Sequence, residues 1–459
     1  MKNNLFSYAF FCYGGINSMK QNKLEVIPVK RLIFTMAWPA MISMLLQAMY
    51  NLTDTVFVAR FAKKAMTGVA ITFAMQEVII AVSVGTSVGI SALISTCLGR
   101  KDRSAAADTA SSGLLLLISE SIPFILCGLL FSESFLRFFT EDPEIIYYGS
   151  TYLRICMIFV SGLFISTGTQ RILQALGHTG YGMAVMLTGA LFNLVFDPIL
   201  IYGFFGFASL GTLGAAIATV VGQWISALAG IILVSYSSPE RLTLRMRMSI
   251  VRKIYQIGLP SILSMLAGSV MAVFMNRMLA GYSYSAVAFY GAYTKLQGVF
   301  IMTVNGMGQA ILPIIGFSYG ADRKARLKEA VFLALSSSVI GGTAFTFIIF
   351  ICSGWILSLF SLSDSFMNDG ITAIKILSLM YIPASFSIVG GYICSGMRDG
   401  KTMLYAAIIR QIIILLPCAI LLSSFMEMNG IWLACLVSET TGMVYTIYRV
   451  KKLMKTNHI

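Results

Sequence analysis

The stretch Met36–Phe61, MAWPAMISMLLQAMYNLTDTVFVARF, decides the fold. It is long and apolar enough to cross a bilayer, which takes about 20 helical residues. Pro39 lies near its start, and a carboxylate, Asp54, lies deep inside it. A second copy follows at Ile257–Tyr282, IGLPSILSMLAGSVMAVFMNRMLAGY, where the proline returns and the carboxylate does not. The comparison of the two copies separates what the scaffold needs from what a specific activity needs.

The composition predicts an all-α polytopic membrane protein. Hydrophobic residues make up 57% of the 459 residues and charged residues only 11%, whereas a soluble domain carries about 25% charge. Open sheets cannot span lipid, so the recurring apolar runs are read as transmembrane helices. Twelve spans are predicted, at 32–59, 66–97, 105–131, 144–172, 181–206, 212–236, 251–280, 286–318, 327–352, 367–395, 402–424 and 429–449.

The charge pattern sets the orientation in the cell membrane. The net charge is +14, and the basic residues concentrate in alternate loops, as the positive-inside rule requires. Both termini are therefore predicted to be cytoplasmic, and the basic balance does not indicate a nucleic-acid partner. The third loop is acidic, and only the first loop, with Arg60, Lys63 and Lys64, departs from the pattern.

Other sequence features exclude several function classes. The eight cysteines form no CxxC or Cys/His cluster, so neither a disulfide frame nor a metal site of that kind is supported. No catalytic motif stands in a suitable context, so we expect no enzyme activity, no cofactor and a monomer in the lipid bilayer. Met19 opens a conventional polar start, and residues 1–18 are read as an upstream extension or a tail.

An internal repeat divides the chain into two lobes. A shift of 221 residues relates Pro39 to Pro260, Gly85 to Gly306 and Gly99 to Gly320, and later matches relate Gly180 to Gly400 at 220 and Gly211 to Gly430 at 219. This predicts two pseudo-symmetric six-helix lobes in the same orientation, with the substrate site between them near mid-membrane. The predicted divisions are a cytoplasmic N-terminal segment 1–31, lobes 32–236 and 251–449, a cytoplasmic inter-lobe loop 237–250 and a cytoplasmic tail 450–459.

Three polar residues inside the first lobe are candidates for ion coupling. Asp54 lies in span 1, and Asn193 and Asp197 lie four residues apart on one face of span 5. A charged and unpaired carboxylate inside a membrane costs several kcal/mol, so it should face a cavity or a partner. Together with carbonyls freed by Pro198, these groups could bind a proton or a Na⁺ ion. The alternatives are an Asp54 solvated near the outer end, and a polar kink satisfied within its own lobe.

The repeat indicates that these polar groups are not needed for folding. Asp54 maps to Met275, and Asp197 maps to Leu416 or Pro417. Tyr50, one turn before Asp54, could donate a hydrogen bond to it. Additional residues are predicted to line the substrate cavity, namely Gln47, Gln76, Gln170, Met275 and Lys295.

The chain resembles the multidrug and toxic compound extrusion (MATE) family. The resemblance covers about Leu32 to Leu453 and rests on the two-lobe pattern and on the motifs YNLTDTVFV, NLVFDPILIYG and GTLGAAIAT. The closest match is the prokaryotic branch with a span-1 aspartate, near the staphylococcal-type multidrug exporters. The resemblance implies Asp54 as the coupling acid, Asn193 and Asp197 as its partners beside Tyr50, Gln170 as a nearby amide, and Thr212 or Thr219 as the span-6 hydroxyl.

The sequence therefore predicts a secondary active efflux transporter. By resemblance, it exports lipophilic, often cationic small molecules in exchange for H⁺ or Na⁺ by alternating access. A first alternative is a lipid-linked saccharide flippase of the same superfamily, which would use a basic cavity built from Arg277, Lys295 and Arg410. A second alternative is a transport-inactive membrane sensor, which the absence of a soluble signalling domain disfavours.

Overall fold

The computed structural model describes residues 23–238, 240, 245–282, 284–358 and 367–457, except for the side chains of residues 50–52, 284, 285, 367 and 368. The segment 1–18 and the side chain of Tyr50 lie outside this part. The helices are α1 (Lys23–Val26), α2 (Val29–Phe61), α3 (Lys63–Gly99), α4 (Arg103–Arg137), α5 (Pro143–Ile158), α6 (Ser161–Ala175), α7 (Thr179–Tyr202), α8 (Thr212–Ser237), α9 (Met248–Ala280), α10 (Tyr284–Gly320), α11 (Lys324–Ser358), α12 (Met367–Ser378), α13 (Tyr381–Gly396), α14 (Lys401–Ile408) and α15 (Leu415–Thr456).

These helices form twelve spans within the described residues. Helices α2–α4 and α7–α11 each cross once, α5 and α6 form one span bent by 52°, and α12 and α13 form another. The stretch Lys401–Thr456 has 56 residues, which at about 1.5 Å per residue is far longer than a bilayer is thick. Glu427 interrupts it with φ 50° and ψ −131°, and Gly430 packs against the backbone of Leu422. The chain therefore turns back at Glu427 and supplies spans 11 and 12, and the twelve-span prediction is confirmed.

Reciprocal glycine contacts confirm the pseudo-symmetry of the two lobes. A Cβ on Gly85 in span 2 would lie 2.7 Å from the backbone nitrogen of Ile262 in span 7. A Cβ on Gly306 in span 8 would lie 2.8 Å from the Cα of Met41 in span 1. The shift of the repeat relates the two glycines to each other and also relates their two partners, so each lobe makes the same contact on the other. Only glycine permits this backbone approach.

The two lobes meet along a seam formed by the second halves of spans 2 and 8. Every residue of 85–99 and of 306–318 is buried. Gly99 packs on the backbone of Phe317, and Gly320 packs on the backbone of Thr96, which is again a reciprocal pair. In the first half of span 8, by contrast, a Cβ on Gly298 would meet no atom within 4 Å. The seam is thus closed at the end that the charge pattern predicts to be cytoplasmic.

The predicted register of the last spans was wrong. Glu427 adopts the backbone angles of Gly211, which has φ 55° and ψ −129°. Gly430 makes the contact with span 11 that Gly214 makes with span 5. Gly430 therefore corresponds to Gly214 and not to Gly211. Two differences change the register. A π-helical turn at Ile409–Ile414 adds a residue to span 11, and the loop between spans 5 and 6 is longer than the loop between spans 11 and 12.

Lys64 of the basic first loop pairs with two carboxylates of the acidic third loop. Lys64 Nζ lies 3.0 Å from Asp142 Oδ2 and 2.8 Å from Glu144 Oε2. Asp142 also caps helix α5 by accepting the Glu144 N–H at 2.9 Å. The hydrogen bond from Lys64 holds the pKa of Asp142 below its usual value. The third loop therefore offsets part of the positive charge of the first loop.

Candidate functional site

Two carboxyl groups from different spans meet inside the first lobe. Asp54 is on helix α2, two turns before its end, and Asp197 is on α7, near the end of that helix. Their side chains are 8% and 1% exposed, and the two carboxyl groups lie close enough to interact with each other. Asp54 is thus buried against a partner rather than solvated at the outer end, beside Arg60.

A neighbouring amide and hydroxyl complete the polar cluster. The Asn193 amide nitrogen donates to Asp197 Oδ1 at 3.1 Å and to Thr219 Oγ1 at 3.2 Å. The i,i+4 spacing of Asn193 and Asp197 places both on the same face of α7, as expected. Of the two candidate span-6 hydroxyls, Thr219 is the one that reaches this cluster. Asp54 Oδ1 and Asp197 Oδ2 are buried without a hydrogen-bond partner.

Two further residues in the cluster were missed by the sequence argument. Tyr152 on helix α5 is 2% exposed and lies close to Thr219 and to both carboxyl groups. Cys156, one turn later, lies beside Asp54 and Tyr152. Tyrosine and cysteine are common in apolar spans, so neither carried a signal in the sequence.

An apolar cluster closes the site toward the end of the lobe opposite to the seam. Its buried members are Val58, Ala65, Val69, Tyr152, Ile201, Ala215 and Ala216. The Tyr202 hydroxyl donates to the Phe57 carbonyl at 2.8 Å, which ties α7 to α2 beyond the carboxyl pair. This layer keeps water away from the two acids and strengthens their electrostatic interactions.

The second lobe fills the equivalent place with apolar side chains. Asp54 corresponds to Met275, which is 0% exposed. Leu200 and Leu422 make equivalent contacts with Gly214 and Gly430, so Asp197 corresponds to Ala419 and not to Leu416 or Pro417. By the same register Thr219 corresponds to Cys435, and all three counterparts belong to the main apolar core. The scaffold therefore folds without the polar cluster.

The structure does not bring the remaining predicted cavity residues to the carboxyl pair. Gln170 packs against Gly182, which lies about three turns before Asn193 on the same helix. Gln76 donates to Thr72 Oγ1 in its own helix at 3.2 Å. Gln47 is half-buried, Lys295 is exposed, and Met275 lies in the apolar core.

The basic residues of the second lobe do not form a shared site either. Arg410 Nη1 lies 2.9 Å from Glu439 Oε2, so this charge is neutralised within its own lobe. The Ser438 hydroxyl also donates to the Arg410 carbonyl, which fixes spans 11 and 12 together. Arg277 and Lys295 are exposed.

The carboxyl pair has the chemistry of a cation site. Two carboxyl groups in contact away from water cannot both carry a charge unless a proton or a cation lies with them. The unpartnered Asp54 Oδ1 and Asp197 Oδ2, with the Thr219 hydroxyl, are oxygen atoms that fit a proton or a small hard ion such as Na⁺.

Two parallel six-helix lobes, with a buried polar cluster between the helices of the first, form an architecture typical of membrane transporters. The MatE family model matches residues 39–199 and 260–421, so the two matches begin at Pro39 and Pro260, the equivalent prolines of the repeat. The chain belongs to this family of multidrug and toxic compound extrusion transporters.

Relatives and solved structures agree with this assignment. An FAD transporter of Shewanella oneidensis is 24% identical over 93% of this chain and 95% of its own length. The multidrug export protein MepA of Staphylococcus haemolyticus is 23% identical over 90% of this chain and 92% of its own. An outward-facing multidrug resistance MATE transporter shares the fold with a TM-score of 0.88 at 24% identity, covering 95% of this chain and 99% of that one.

Proposed function

We propose that this protein exports lipophilic, often cationic small molecules across the cell membrane in exchange for protons, by alternating access. The observation that carries the proposal is the buried Asp54–Asp197 contact, present in one lobe and replaced by apolar residues in the other. The names of the staphylococcal relatives, multidrug export proteins, support the substrate class. The charge pattern supports cytoplasmic termini.

A proton is the coupling ion that this geometry favours over Na⁺. Two buried carboxyl groups this close need either a shared proton or a bridging cation. The Asn193 side chain donates its N–H to Asp197 instead of offering its oxygen as a ligand, which supports the proton. A sodium ion would have to take the place of the proton and be coordinated by the side-chain oxygens of Asp54, Asp197 and Thr219. Loss of the proton leaves two negative charges in contact, which drives α2 and α7 apart or draws in a cation.

Span 1 connects this event to the lobe interface. The same helix α2 carries Asp54 and, nearer its start, Met41, which packs against Gly306 of the other lobe. A change in the packing of α2 at Asp54 therefore reaches the seam, about 20 Å away, through a continuous helix. Protonation can in this way bias which side of the transporter is open.

Transport by the purified protein in vesicles tests the proposal. A fluorescent lipophilic cation is loaded, and its movement is followed with an imposed pH gradient or an imposed sodium gradient. We expect the pH gradient to drive transport, and Asp54→Asn and Asp197→Asn each to abolish it. Glu133→Gln is the matched control, since it removes an exposed surface carboxylate that pairs with Arg137.

The result also separates the alternatives. Full gradient-driven transport by both aspartate variants would refute the coupling role. Transport driven only by the sodium gradient would identify Na⁺, and not the proton, as the coupling ion at these residues. Because one relative is an FAD transporter, the same vesicles are tested with FAD. Transport of FAD and not of the cation would reject the proposed substrate class, and movement of neither would favour the sensor alternative.

A further inference from the structure

A cavity lies between the two lobes at the closed end of the seam. Its volume is about 300 Å³. The first lobe contributes the end of span 2 and the start of span 3, while span 7 and the loop before span 11 contribute the other wall. The charged residues that line it are Arg100, Asp102, Asp108, Arg247, Lys253 and Arg398.

The cations in this cavity outnumber the available acids. Asp108 Oδ2 lies 2.6 Å from Arg247 Nη1, and Asp102 caps the first turn of span 3. Arg100 and Arg398 form no ion pair with a carboxylate in the described part of the chain. Arg398 Nε is buried without a hydrogen-bond partner. Burial and the neighbouring Arg100 charge lower the pKa of Arg398.

The chain itself fills the pseudo-symmetric counterpart of this cavity. On that side, helix α1 (Lys23–Val26) covers the start of span 9. Arg323 Nη2 donates to Glu25 Oε1 at 2.6 Å, and Arg326 donates to two carbonyl oxygens next to this helix at 2.7 and 2.8 Å. The guanidinium groups there have oxygen partners, whereas those of Arg100 and Arg398 have none among the described residues.

The fold does not require either of the unpaired guanidinium groups. Arg398 corresponds to Gly177, and both close the same turn with left-handed backbones of φ 68° and 86°. Glycine adopts this conformation without strain, and arginine does not. Arg100 corresponds to Ala321 by the shift of the repeat. Two charged side chains thus replace a glycine and an alanine at one place in the repeat.

We propose that this cavity binds a phosphate-bearing anion, held between Arg100 of the first lobe and Arg398 of the second. Guanidinium groups bind phosphate oxygens with paired hydrogen bonds, and an anion here removes the repulsion between the two arginines. Since the two arginines belong to different lobes, the bound anion holds the seam closed. The phosphate comes either from the head group of an anionic lipid or from a soluble phosphate compound.

Thermal unfolding and labelling of Cys97, which lines the cavity, test the proposal on the full chain in detergent. Inorganic phosphate is compared with chloride at equal ionic strength, and phosphatidylglycerol with phosphatidylcholine. We expect the anion to raise the unfolding temperature. At ten times its Kd, it should slow maleimide labelling of Cys97 about tenfold. Both effects should vanish in Arg398→Gly and in Arg100→Ala.

Arg398→Gly is the sharper variant because glycine suits the left-handed backbone, so the protein should fold at least as well without ligand. Lys401→Gln, an exposed residue outside the cavity, is the control and should respond as the wild type does. A response to phosphate alone would identify a soluble ligand, and a response to phosphatidylglycerol alone would identify a lipid. No response in the wild type, or an equal response in Arg398→Gly, would overturn the proposal.

Discussion

The glycine contacts of the seam predict how a single methyl group shifts the balance between the two open states. In Gly306→Ala the new Cβ would lie 2.7 Å from the Ala40 carbonyl oxygen and 2.8 Å from the Met41 Cα. These atoms are backbone atoms of span 1 and cannot rotate away. Gly298→Ala is the matched control on the same helix, since nothing lies within 4 Å of its Cβ.

The magnitude follows from the distances. Ordinary van der Waals contact of a Cβ begins at 3.4 Å, so spans 1 and 8 must separate by about 0.6 Å or strain elsewhere. Overpacking of this kind costs about 1–3 kcal/mol. The cost falls only on the state in which the seam is closed, so the open fraction should rise about 5- to 150-fold. The gain in helix propensity from alanine is common to both variants and cancels in their comparison.

Labelling of Cys97 measures this shift, because the side chain is 9% exposed at the seam. In a background with no other cysteine, the maleimide rate should rise in Gly306→Ala and stay unchanged in Gly298→Ala. Gly85→Ala, which makes the reciprocal contact, should behave like Gly306→Ala. Equal rates in Gly306→Ala and Gly298→Ala, with both proteins folded by size exclusion, would refute the argument that the glycines set the closed state.

Three further predictions concern charged groups. Arg171 is 3% exposed beside Tyr392 and pairs with no described carboxylate. Because an unpaired buried charge is costly, Arg171→Met should stabilise the closed seam by at least about 1 kcal/mol, measured as slower labelling of Cys97. Arg410→Gln should lower the unfolding temperature more than the double variant Arg410→Gln/Glu439→Gln, because the single change leaves one partner of the pair half-buried and alone. The depressed pKa of Asp142 contributes stability above its unfolded pKa of about 3.9, and this is lost as pH falls through the folded pKa. Neutralising its partner in Lys64→Gln should therefore reduce the loss of stability between neutral and acid pH.

The sequence predicts the number of spans well because lipid leaves the backbone no choice but helix. It does not predict the break in span 4, which falls at Phe159-Val160, where neither proline nor glycine stands. The Phe159 carbonyl accepts the Gly162 N–H and also, at 3.2 Å, the Trp224 indole N–H, so a side chain from span 6 contacts the bend. A tertiary contact of this kind has no local signal.

The site was predictable to the extent that its residues are unusual in apolar runs. Asp54, Asn193 and Asp197 stand out for that reason, and the structure brings them together. Thr212 and Thr219 are about two turns apart and so lie on one face of the same helix. The choice between them depends on how deep span 6 lies against span 5, which only the packing of Gly214 on Leu200 fixes.

The two copies Met36–Phe61 and Ile257–Tyr282 share the residues that form the lobe contact and differ in the buried carboxylate. Pro39 and Pro260 stand next to the backbone positions that the seam glycines touch, at Ala40-Met41 and at Ile262. A proline removes a helix hydrogen bond, so both copies have a compliant point where the lobes meet. Asp54 corresponds to the apolar Met275 in the second lobe, so under the proposed function only the first lobe would respond to the coupling ion. One helix thus carries both the proposed coupling acid and the proline next to the lobe contact. The proposed function therefore predicts that substitutions at Asp54 abolish coupled transport, whereas substitutions at Met275 do not.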